Sequence, residues 1–209
     1  MANIASITGI VLAGGKGIRM GANKPQLKIG NSNLIDRVLE TLSLFTSSIL
    51  VVTAGDRPGI TIADMPGARI VKDVYPRKGP LGGIYTGLMH AETSYSLVVG
   101  CDMPFLNISL IQYLIDGACG FDAVAPKIGW MIQPLHAIYS RDCMPSIEAL
   151  IREDQLQVIK LFDLVKTRYV TENEIDRFDP SHLSFLNINT ADDLLKAEVL
   201  SGGKTSPKI

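Results

Sequence analysis

Short apolar runs alternate with helix-forming segments along most of this 209-residue chain, and this alternation limits the possible folds more than any other feature. It is typical of an α/β sheet with helices on both faces. Several runs are apolar at almost every position, as expected for strands that are buried on both faces. The predicted strands are residues 7–13, 48–54, 68–71, 96–101, 122–126, 134–140 and 167–170.

Segments with apolar residues at helical spacing separate these strands. Three glycines inside the second such segment weaken its prediction, because glycine lowers helix stability. Asn189 or Thr190 is expected to cap the last helix. The predicted helices lie within residues 33–45, 80–91, 107–118, 144–154, 156–166 and 189–200.

Length and composition favour one domain over residues 1–200, followed by a small polar tail at 201–209 that is expected to be flexible. A net charge of −1 gives no general attraction to nucleic acid or to a membrane, so neither is expected as a partner. The first apolar run ends at glycine without a basic region before it, which indicates a strand rather than a signal peptide. Cys101, Cys119 and Cys143 lack metal-ligand spacing and favour thiols in a reducing cytosol, so a cytoplasmic location is predicted.

Ligands of open α/β sheets bind beyond the carboxyl ends of the strands. Four stretches are expected to meet at that edge of the sheet. They are the loop after the first strand, residues 73–83, residues 100–105, and the chain that follows 185–189.

The loop after the first strand, GGKGIRMGANKPQLK, combines four glycines with four cations. The dinucleotide motif G-x-G-x-x-G fails because Met20 stands at its last position, and the P-loop motif fails because Gly15 stands where lysine is needed. Glycines still allow several N–H groups to point at one anion, and Arg19 and Lys24 add full charges. The loop therefore predicts a triphosphate site, with a solvated surface loop as the alternative.

Asp102 directly follows an apolar strand at the predicted ligand edge. Mg²⁺ prefers one or two carboxylates together with phosphate oxygens and waters, so Asp102 is a candidate metal ligand; a helix-capping or turn aspartate is the alternative. Asp73 precedes two cations and the turn Gly79–Gly83, whose backbone groups can read the edge of a nucleobase. A tight loop that merely begins a helix is the alternative there.

Asn187 and Asn189 alternate along a predicted strand and so share a face, where they can bind a polar substrate or complete a metal shell. Helix capping is the alternative role of Asn189. The three histidines lack both metal-ligand spacing and a catalytic arrangement, and only His136 is a candidate for facing a pocket. Trp130 and Met131 lie in a loop between two strands, where they either cover a flat ring or pack on the rim.

Five segments together resemble, in order, the motifs of the molybdenum cofactor guanylyltransferases, the molybdopterin-guanine dinucleotide biosynthesis protein A family. They are VLAGGKGIRMGANKPQL, DVYPRKGPLGGIYTGL, VVGCDMPF, QPLHAIYSR and FLNINTADDL, and the resemblance covers residues 7–195. It implies a single-domain, Rossmann-like nucleotidyltransferase fold of three α/β/α layers around a mostly parallel mixed sheet. It also implies transfer of GMP from GTP to the terminal phosphate of molybdopterin or Mo-molybdopterin, with Mg²⁺ as cofactor and with release of pyrophosphate. The implied protein partners are upstream molybdenum-insertion proteins and downstream molybdoenzyme-maturation proteins.

The resemblance assigns roles to individual positions. Lys24, Arg19 and Asp102 are the implied catalytic residues, and Asp102 is the implied metal ligand. Asn187, Asn189 and His136 are placed on the pterin side. GTP contacts are implied for Leu12, Ala13, Gly14, Gly15, Lys24, Gly55 (or Asp56), Asp73, Gly79, Pro80, Leu81, Gly82 and Asp102.

The chain departs from the family pattern at a few positions and leaves the implied phosphate ligands in place. Asn23 stands where aspartate is usual, and Gly17 and Ile18 stand where small hydroxyl residues or other short side chains are common. The LAGG segment matches the guanylyltransferases, whereas related cytidylyltransferases resemble LAAG. The alternatives are cytidylyl transfer to molybdopterin, nucleotidyl transfer to a sugar, isoprenoid or cobalamin precursor, and a non-catalytic GTP-binding module.

Overall fold

A computed structural model of the protein describes residues 6–14, 27–54, 62 and 65–202. The strands are β1 Thr8–Leu12, β2 Lys28–Ile29, β3 Ser32–Asn33, β4 Ile49–Thr53, β5 Ala68–Lys72, β6 Tyr95–Gly100, β7 Ala123–Ile128, β8 Met131–Ile132, β9 His136–Ser140 and β10 Thr167–Thr171. The α-helices are α1 Leu34–Ser43, α2 Gly79–His90, α3 Ile108–Asp116, α4 Met144–Arg152, α5 Glu172–Ile175 and α6 Ala191–Leu200. Short 3-10 helices cover Arg141–Cys143, Val158–Asp163 and Leu183–Phe185.

One large sheet has the strand order β10-β7-β9-β6-β1-β4-β5, and β8 pairs with β7. β1 is parallel to β4 and to β6, β4 is parallel to β5, and β7 is parallel to β10. β9 is antiparallel to both β6 and β7, so β6 and β7 run in the same direction. The predicted mostly parallel mixed sheet is therefore confirmed.

Helices cover both faces of this sheet. On one face, Val11 and Val99 pack in an apolar cluster with residues of α1 and α3. On the other face, Ile10 and Val98 pack with residues of α2 and α4. Neighbouring residues of a strand point to opposite faces, so each central strand contributes to both clusters. The result is the predicted three-layer α/β/α arrangement in a single domain.

The seven strands predicted from apolar runs are all present, and their ends differ from the prediction by at most two residues. The α-helix predicted within residues 156–166 is wrong, because the structure has only a 3-10 helix at Val158–Asp163. Leu161 and Phe162 are buried there, whereas Ile159 and Leu164 are 50% and 56% exposed. The buried side of this segment is therefore too short to stabilise a longer helix.

The strand predicted at residues 185–189 is also wrong. Leu183–Phe185 forms a 3-10 turn, and residues 186–189 belong to no strand. No neighbouring strand pairs with this segment in the described part of the chain; instead Ile188 N–H donates to Asp102 O over 3.0 Å. The β2–β3 hairpin, β8 and α5 are too short to produce a periodic sequence signal, and sequence analysis missed them.

Across the described ranges, no helix combines the length and the apolar character needed to cross a membrane.

Glycines allow α2 to approach β1 closely. A Cβ on Gly87 would lie 2.6 Å from Ile10 Cγ2, and a Cβ on Gly83 would lie 3.0 Å from Leu12 Cδ2. These two glycines are four residues apart and lie on the same side of the helix. The residues that weaken the helix prediction are therefore the ones that let α2 pack against the central strand, and this packing outweighs their low helix propensity.

Gly87→Ala is expected to lower the free energy of unfolding by about 1–3 kcal/mol, because the added methyl group overlaps with Ile10. Urea unfolding followed by circular dichroism measures this loss. Ile10→Ala removes Cγ2 and Cδ1, which lie 2.6 and 2.7 Å from the position that a Cβ on residue 87 would occupy. The double variant should therefore lose less than the sum of the two single variants, and strictly additive losses would contradict the proposed contact.

Candidate active site

The carboxyl ends of four parallel strands meet at one edge of the sheet. Cys101 N–H donates to Leu12 O over 3.2 Å, which joins the chain after β6 to the end of β1. Asp73 N–H donates to Thr53 O over 2.9 Å, which joins the chain after β5 to the end of β4. Since ligands of open α/β sheets bind beyond such ends, this edge is the candidate site.

The Asp102 carboxylate folds back over the turn that follows β6. A Cβ on Gly100 would lie 2.5 Å from Asp102 Oδ1 and 3.4 Å from Met103 Sδ. Glycine at position 100 therefore leaves the space in which this half-buried carboxylate lies. Gly100 was not among the predicted site residues, although a glycine near the end of a strand and shortly before an acidic turn is a recognisable sequence signal.

Asp73 is 8% exposed and makes hydrogen bonds within the protein. Its Oδ1 accepts from Tyr75 N–H over 2.9 Å and from the Thr86 hydroxyl over 2.8 Å. Thr86 belongs to α2, so the Asp73 carboxylate ties the turn after β5 to that helix. Asp73 thus lies at the candidate edge and shapes the turn there, while a direct contact with GTP stays a prediction.

The start of α2 presents backbone to solvent. Gly79 has a φ of 64°, in the left-handed region that favours glycine, and its missing side chain would meet only open space. Gly79 and Pro80 are exposed, whereas Leu81 and Gly82 are buried. Of the GTP contacts predicted in this turn, Gly79 and Pro80 are therefore the ones that a base can approach from solvent.

The chain before α6 lies against the turn that carries Asp102. Ile188 is fully buried, and its N–H donates to the backbone carbonyl of Asp102 over 3.0 Å. Asn187 is half-buried and Asn189 is exposed, on either side of Ile188. The structure thus brings the two predicted asparagines next to the predicted metal ligand through a backbone hydrogen bond.

Thr190, and not Asn189, caps α6. Thr190 Oγ1 accepts from Asp193 N–H over 3.1 Å, and Asp193 Oδ2 in return accepts from Thr190 N–H over 2.9 Å. Asn189 N–H also donates to Asp193 Oδ2, over 3.0 Å. This bond and those from Thr190 lower the pKa of the Asp193 carboxyl.

His136 is fully buried at the start of β9. Its Nδ1 lies 3.3 Å from Ser184 O, so the neutral tautomer with a proton on Nδ1 donates there. Its Nε2 is buried without a hydrogen-bond partner among the described residues, and its ring centroid lies 5.1 Å from that of Phe185. The ring therefore packs against residues 184 and 185 in the protein interior. It does not face a solvent-accessible pocket, although this was predicted.

Burial lowers the pKa of His136 to about 4, although the hydrogen bond to Ser184 and the charge of Asp179 act in the opposite direction. Desolvation is the dominant cause, because a protonated imidazole in this position loses its water and gains no second acceptor. His136 is neutral at pH 7.

Ser184 also connects this segment to α3. Asn107 N–H donates to Ser184 Oγ over 2.9 Å, and Asn107 Nδ2 donates to Phe178 O over 2.9 Å. Asp179 Oδ2 accepts from Ser184 N–H over 2.8 Å. These contacts were not predicted, because none of them carries a motif and those of Asn107 join distant parts of the chain.

Several predicted contacts cannot be placed at this edge. In the ranges that the structure covers, no three His, Cys, Asp or Glu side chains come together as a metal-binding group. The predicted residues Gly15, Arg19, Lys24, Gly55 and Asp56 lie outside the described residues, so their roles stay predictions.

The depressed pKa of His136 makes stability depend on pH. Above pH 6.5 both the folded and the unfolded chain hold this histidine neutral; as the pH falls towards 4, only the unfolded chain binds the proton, and stability is lost. At pH 4.5 this loss is expected to be about 2–3 kcal/mol. Urea unfolding of the wild type and of His136→Asn at pH 7 and 4.5 measures it, because asparagine cannot titrate in this range. Equal pH-dependent losses in the two proteins would remove His136 as the cause.

The chain is similar to known proteins over almost its whole length. A probable molybdenum cofactor guanylyltransferase from Pelotomaculum thermopropionicum is 34% identical over 202 residues, which are 97% of this chain and 97% of that protein. A molybdenum cofactor guanylyltransferase from Desulfosudis oleivorans is 32% identical over 206 residues, which are 96% of this chain and 99% of that protein.

A solved structure has the same fold. It is the molybdopterin-guanine dinucleotide biosynthesis protein A from Archaeoglobus fulgidus, which is 27% identical, with a TM-score of 0.81 over 94% of this chain and 99% of that one. The family described as "MobA-like NTP transferase domain" matches residues 9–166, from β1 to the chain just before β10. This match includes the strand ends that carry Gly14, Asp73 and Asp102, and the chain belongs to the MobA-like NTP transferase family.

Proposed function

We propose that this protein transfers GMP from GTP to the terminal phosphate of molybdopterin or Mo-molybdopterin and releases pyrophosphate. One observation carries the proposal: Asp102, after β6, lies beside the end of β1 and is bonded to the Asn187–Asn189 segment. The glycine-rich loop follows β1, so a triphosphate and an acceptor can meet at this carboxylate. The relatives named as guanylyltransferases support the choice of reaction.

The proposed chemistry needs no general base. A phosphate monoester has a second pKa near about 6, so at neutral pH the acceptor is largely a dianion and already a nucleophile. The protein must bring two anions together, align the attack on the α-phosphorus of GTP, and stabilise the charge of the departing pyrophosphate. These tasks suit cations, backbone N–H groups and a metal ion.

Mg²⁺ is the proposed metal, and Asp102 is the residue that would hold it. The fit is chemical: Asp102 offers a half-buried carboxylate at the ligand edge, and Mg²⁺ takes its remaining ligands from phosphate oxygens and water. Bound Mg²⁺ would neutralise phosphate charge. Arg19 and Lys24 are proposed, from sequence alone, to hold the triphosphate and stabilise the charge of the transition state.

The two substrates are proposed to approach Asp102 from different sides. Guanosine would lie near Leu12, Ala13 and Gly14 and near the exposed turn at Gly79, on the side of β4 and β5. The acceptor would lie on the side of the 184–189 segment, which packs on His136 of β9. In-line transfer further requires the acceptor phosphate to attack the α-phosphorus from the side opposite the departing pyrophosphate, while the bond from the α-phosphorus to the guanosine oxygen stays intact.

Asp102→Asn is expected to lower kcat for pyrophosphate release by at least about 100-fold, because it removes the charge that holds the metal. The assay uses purified protein with Mg²⁺, molybdopterin, and GTP, CTP, UTP or ATP in turn, and only GTP should support turnover. Asp116→Asn is the matched control, since Asp116 is exposed at the last turn of α3 and its carboxylate accepts a hydrogen bond from Gln112 of the same helix.

Different results identify the competing functions. Turnover with CTP in place of GTP would point to a cytidylyltransferase. Tight GTP binding without pyrophosphate release, with molybdopterin supplied, would point to a non-catalytic GTP-binding module. Near-normal activity of Asp102→Asn would remove Asp102 as the metal ligand.

Gly100→Ala is expected to lower kcat roughly 10–100-fold, because the new Cβ displaces the Asp102 carboxylate from its place. The clash involves the ends of side chains, so the free energy of unfolding should change by less than about 1 kcal/mol. In the Asp102→Asn background the same substitution should cost little further activity. A full loss of activity on top of Asp102→Asn would show that Gly100 acts through something other than Asp102.

A further inference from the structure

The single tryptophan of this chain, Trp130, projects from the hairpin between β7 and β8. It is 89% exposed, and the neighbouring Met131 is 58% exposed, although tryptophan is on average a strongly buried residue. Ile128 pairs with Met131, so the hairpin loop is the two residues Gly129 and Trp130. Gly129 has a φ of 56°, as such short turns require, and its N–H donates to Glu172 Oε2 over 2.9 Å. The turn that carries the indole is therefore held by strand pairing and by the hydrogen bond to Glu172.

The hairpin turn that carries Trp130 lies at about the same level along the sheet as the turn that carries Asp102. Ile138 of β9 pairs with Leu97 of β6 on one side and with Val124 of β7 on the other, so these three residues share a level. β6 and β7 run in the same direction from that level. Asp102 is five residues beyond Leu97, and Gly129 is five residues beyond Val124.

The sideways separation between the hairpin and Asp102 is small. β10 pairs with one side of β7 as far as Lys127, so β8 pairs with the other side, which is the side of β9 and β6. The tip of the hairpin is therefore one to two strand spacings from the end of β6, roughly 5–10 Å. An exposed indole thus lies near the proposed metal ligand, on the side away from β4 and β5.

We propose that Trp130 is the platform on which the pterin ring of the acceptor stacks while the acceptor phosphate lies at Asp102. This inference rests on the proposed function, because it takes the acceptor to be a flat heteroaromatic ring that carries a phosphate. Indole faces bind such rings through stacking, and an exposed indole loses water-exposed apolar area when it does so. The guanine ring is assigned elsewhere, since the turn at Gly79 and the end of β1 lie on the opposite side of Asp102.

Intrinsic fluorescence gives a direct test, because all tryptophan emission of this chain comes from Trp130. The wild-type protein is titrated with a pterin monophosphate and, separately, with GTP, and the emission is excited outside the absorption of tyrosine. The pterin phosphate should quench the emission with saturation. GTP should leave it nearly unchanged, and quenching by GTP but not by the pterin phosphate would overturn the proposal.

Steady-state kinetics with molybdopterin and GTP separate stacking from a general effect on the fold. Trp130→Ala should raise KM for molybdopterin about tenfold and leave kcat and KM for GTP within about twofold, and Trp130→Phe should retain most of the binding. Leu44→Ala is the control, because Leu44 is also a large exposed apolar residue, at 64%, but lies before β4 at the opposite edge of the sheet.

The outcomes distinguish this inference from the proposed function. If the wild type releases pyrophosphate and Trp130→Ala has an unchanged KM for molybdopterin, the stacking site is wrong and the function stands. A raised KM for GTP alone would reassign the indole to the guanine ring and overturn the proposal. If the wild type is inactive, the proposed function fails, and the absence of saturable quenching by the pterin phosphate then removes the ring site as well.

Discussion

The parallel pairing of β1 with β6 is the interaction on which the candidate site depends. The two strands end at the same level, at Leu12 and Gly100. The hydrogen bond from Cys101 N–H to Leu12 O continues the pairing one residue beyond Gly100. The chain runs from β1 to β4 and β5 on one side and then crosses by α2 to β6 on the other. β1 and β6 therefore flank the point at which the strand order reverses, where open α/β sheets bind ligands. Asp102 lies at that point because of this topology.

Close packing of α2 places the second wall of the site. Gly83 and Gly87 allow the helix to lie against Leu12 and Ile10, and the hydrogen bond from the Thr86 hydroxyl to Asp73 holds the middle of the helix near the end of β5. Side chains at these glycines would move α2 away from the sheet and carry the exposed backbone near Gly79 with it. Small residues in α2 thus contribute to the site by allowing the helix to lie close to the sheet.

Much of the fold and part of the site could be predicted from the sequence. The strands were predictable because continuous apolar runs are required when both faces are buried. The position of Asp102 beyond the end of β6 was predictable because it directly follows such a run, while its role as a metal ligand stays a prediction. The segment at Asn187 was not predictable, because its conformation depends on a bond from Ile188 to Asp102 and on the buried ring of His136. Residues 156–166 have helical spacing, but spacing cannot reveal that Ile159 and Leu164 have no surface to pack against. Local sequence patterns therefore predict the strands and most of the helices, whereas tertiary contacts determine the conformation of residues 156–166 and of the segment at Asn187.

The burial of His136 agrees with a reaction that needs no general base. The ring lies between the backbone of β9 and the segment that is hydrogen-bonded to Asp102. A histidine of ordinary pKa this close to two anionic substrates would gain a proton. Desolvation instead holds its pKa at about 4, and Ser184 O takes the Nδ1 proton, so the ring neither carries charge nor exchanges a proton at neutral pH. The positive charge that the two phosphates require must then come from groups that bind them directly. His136 thus supports the segment beside Asp102 without carrying charge. In the proposed reaction the phosphate charge is neutralised by other groups, and the acceptor phosphate remains a dianion until it attacks.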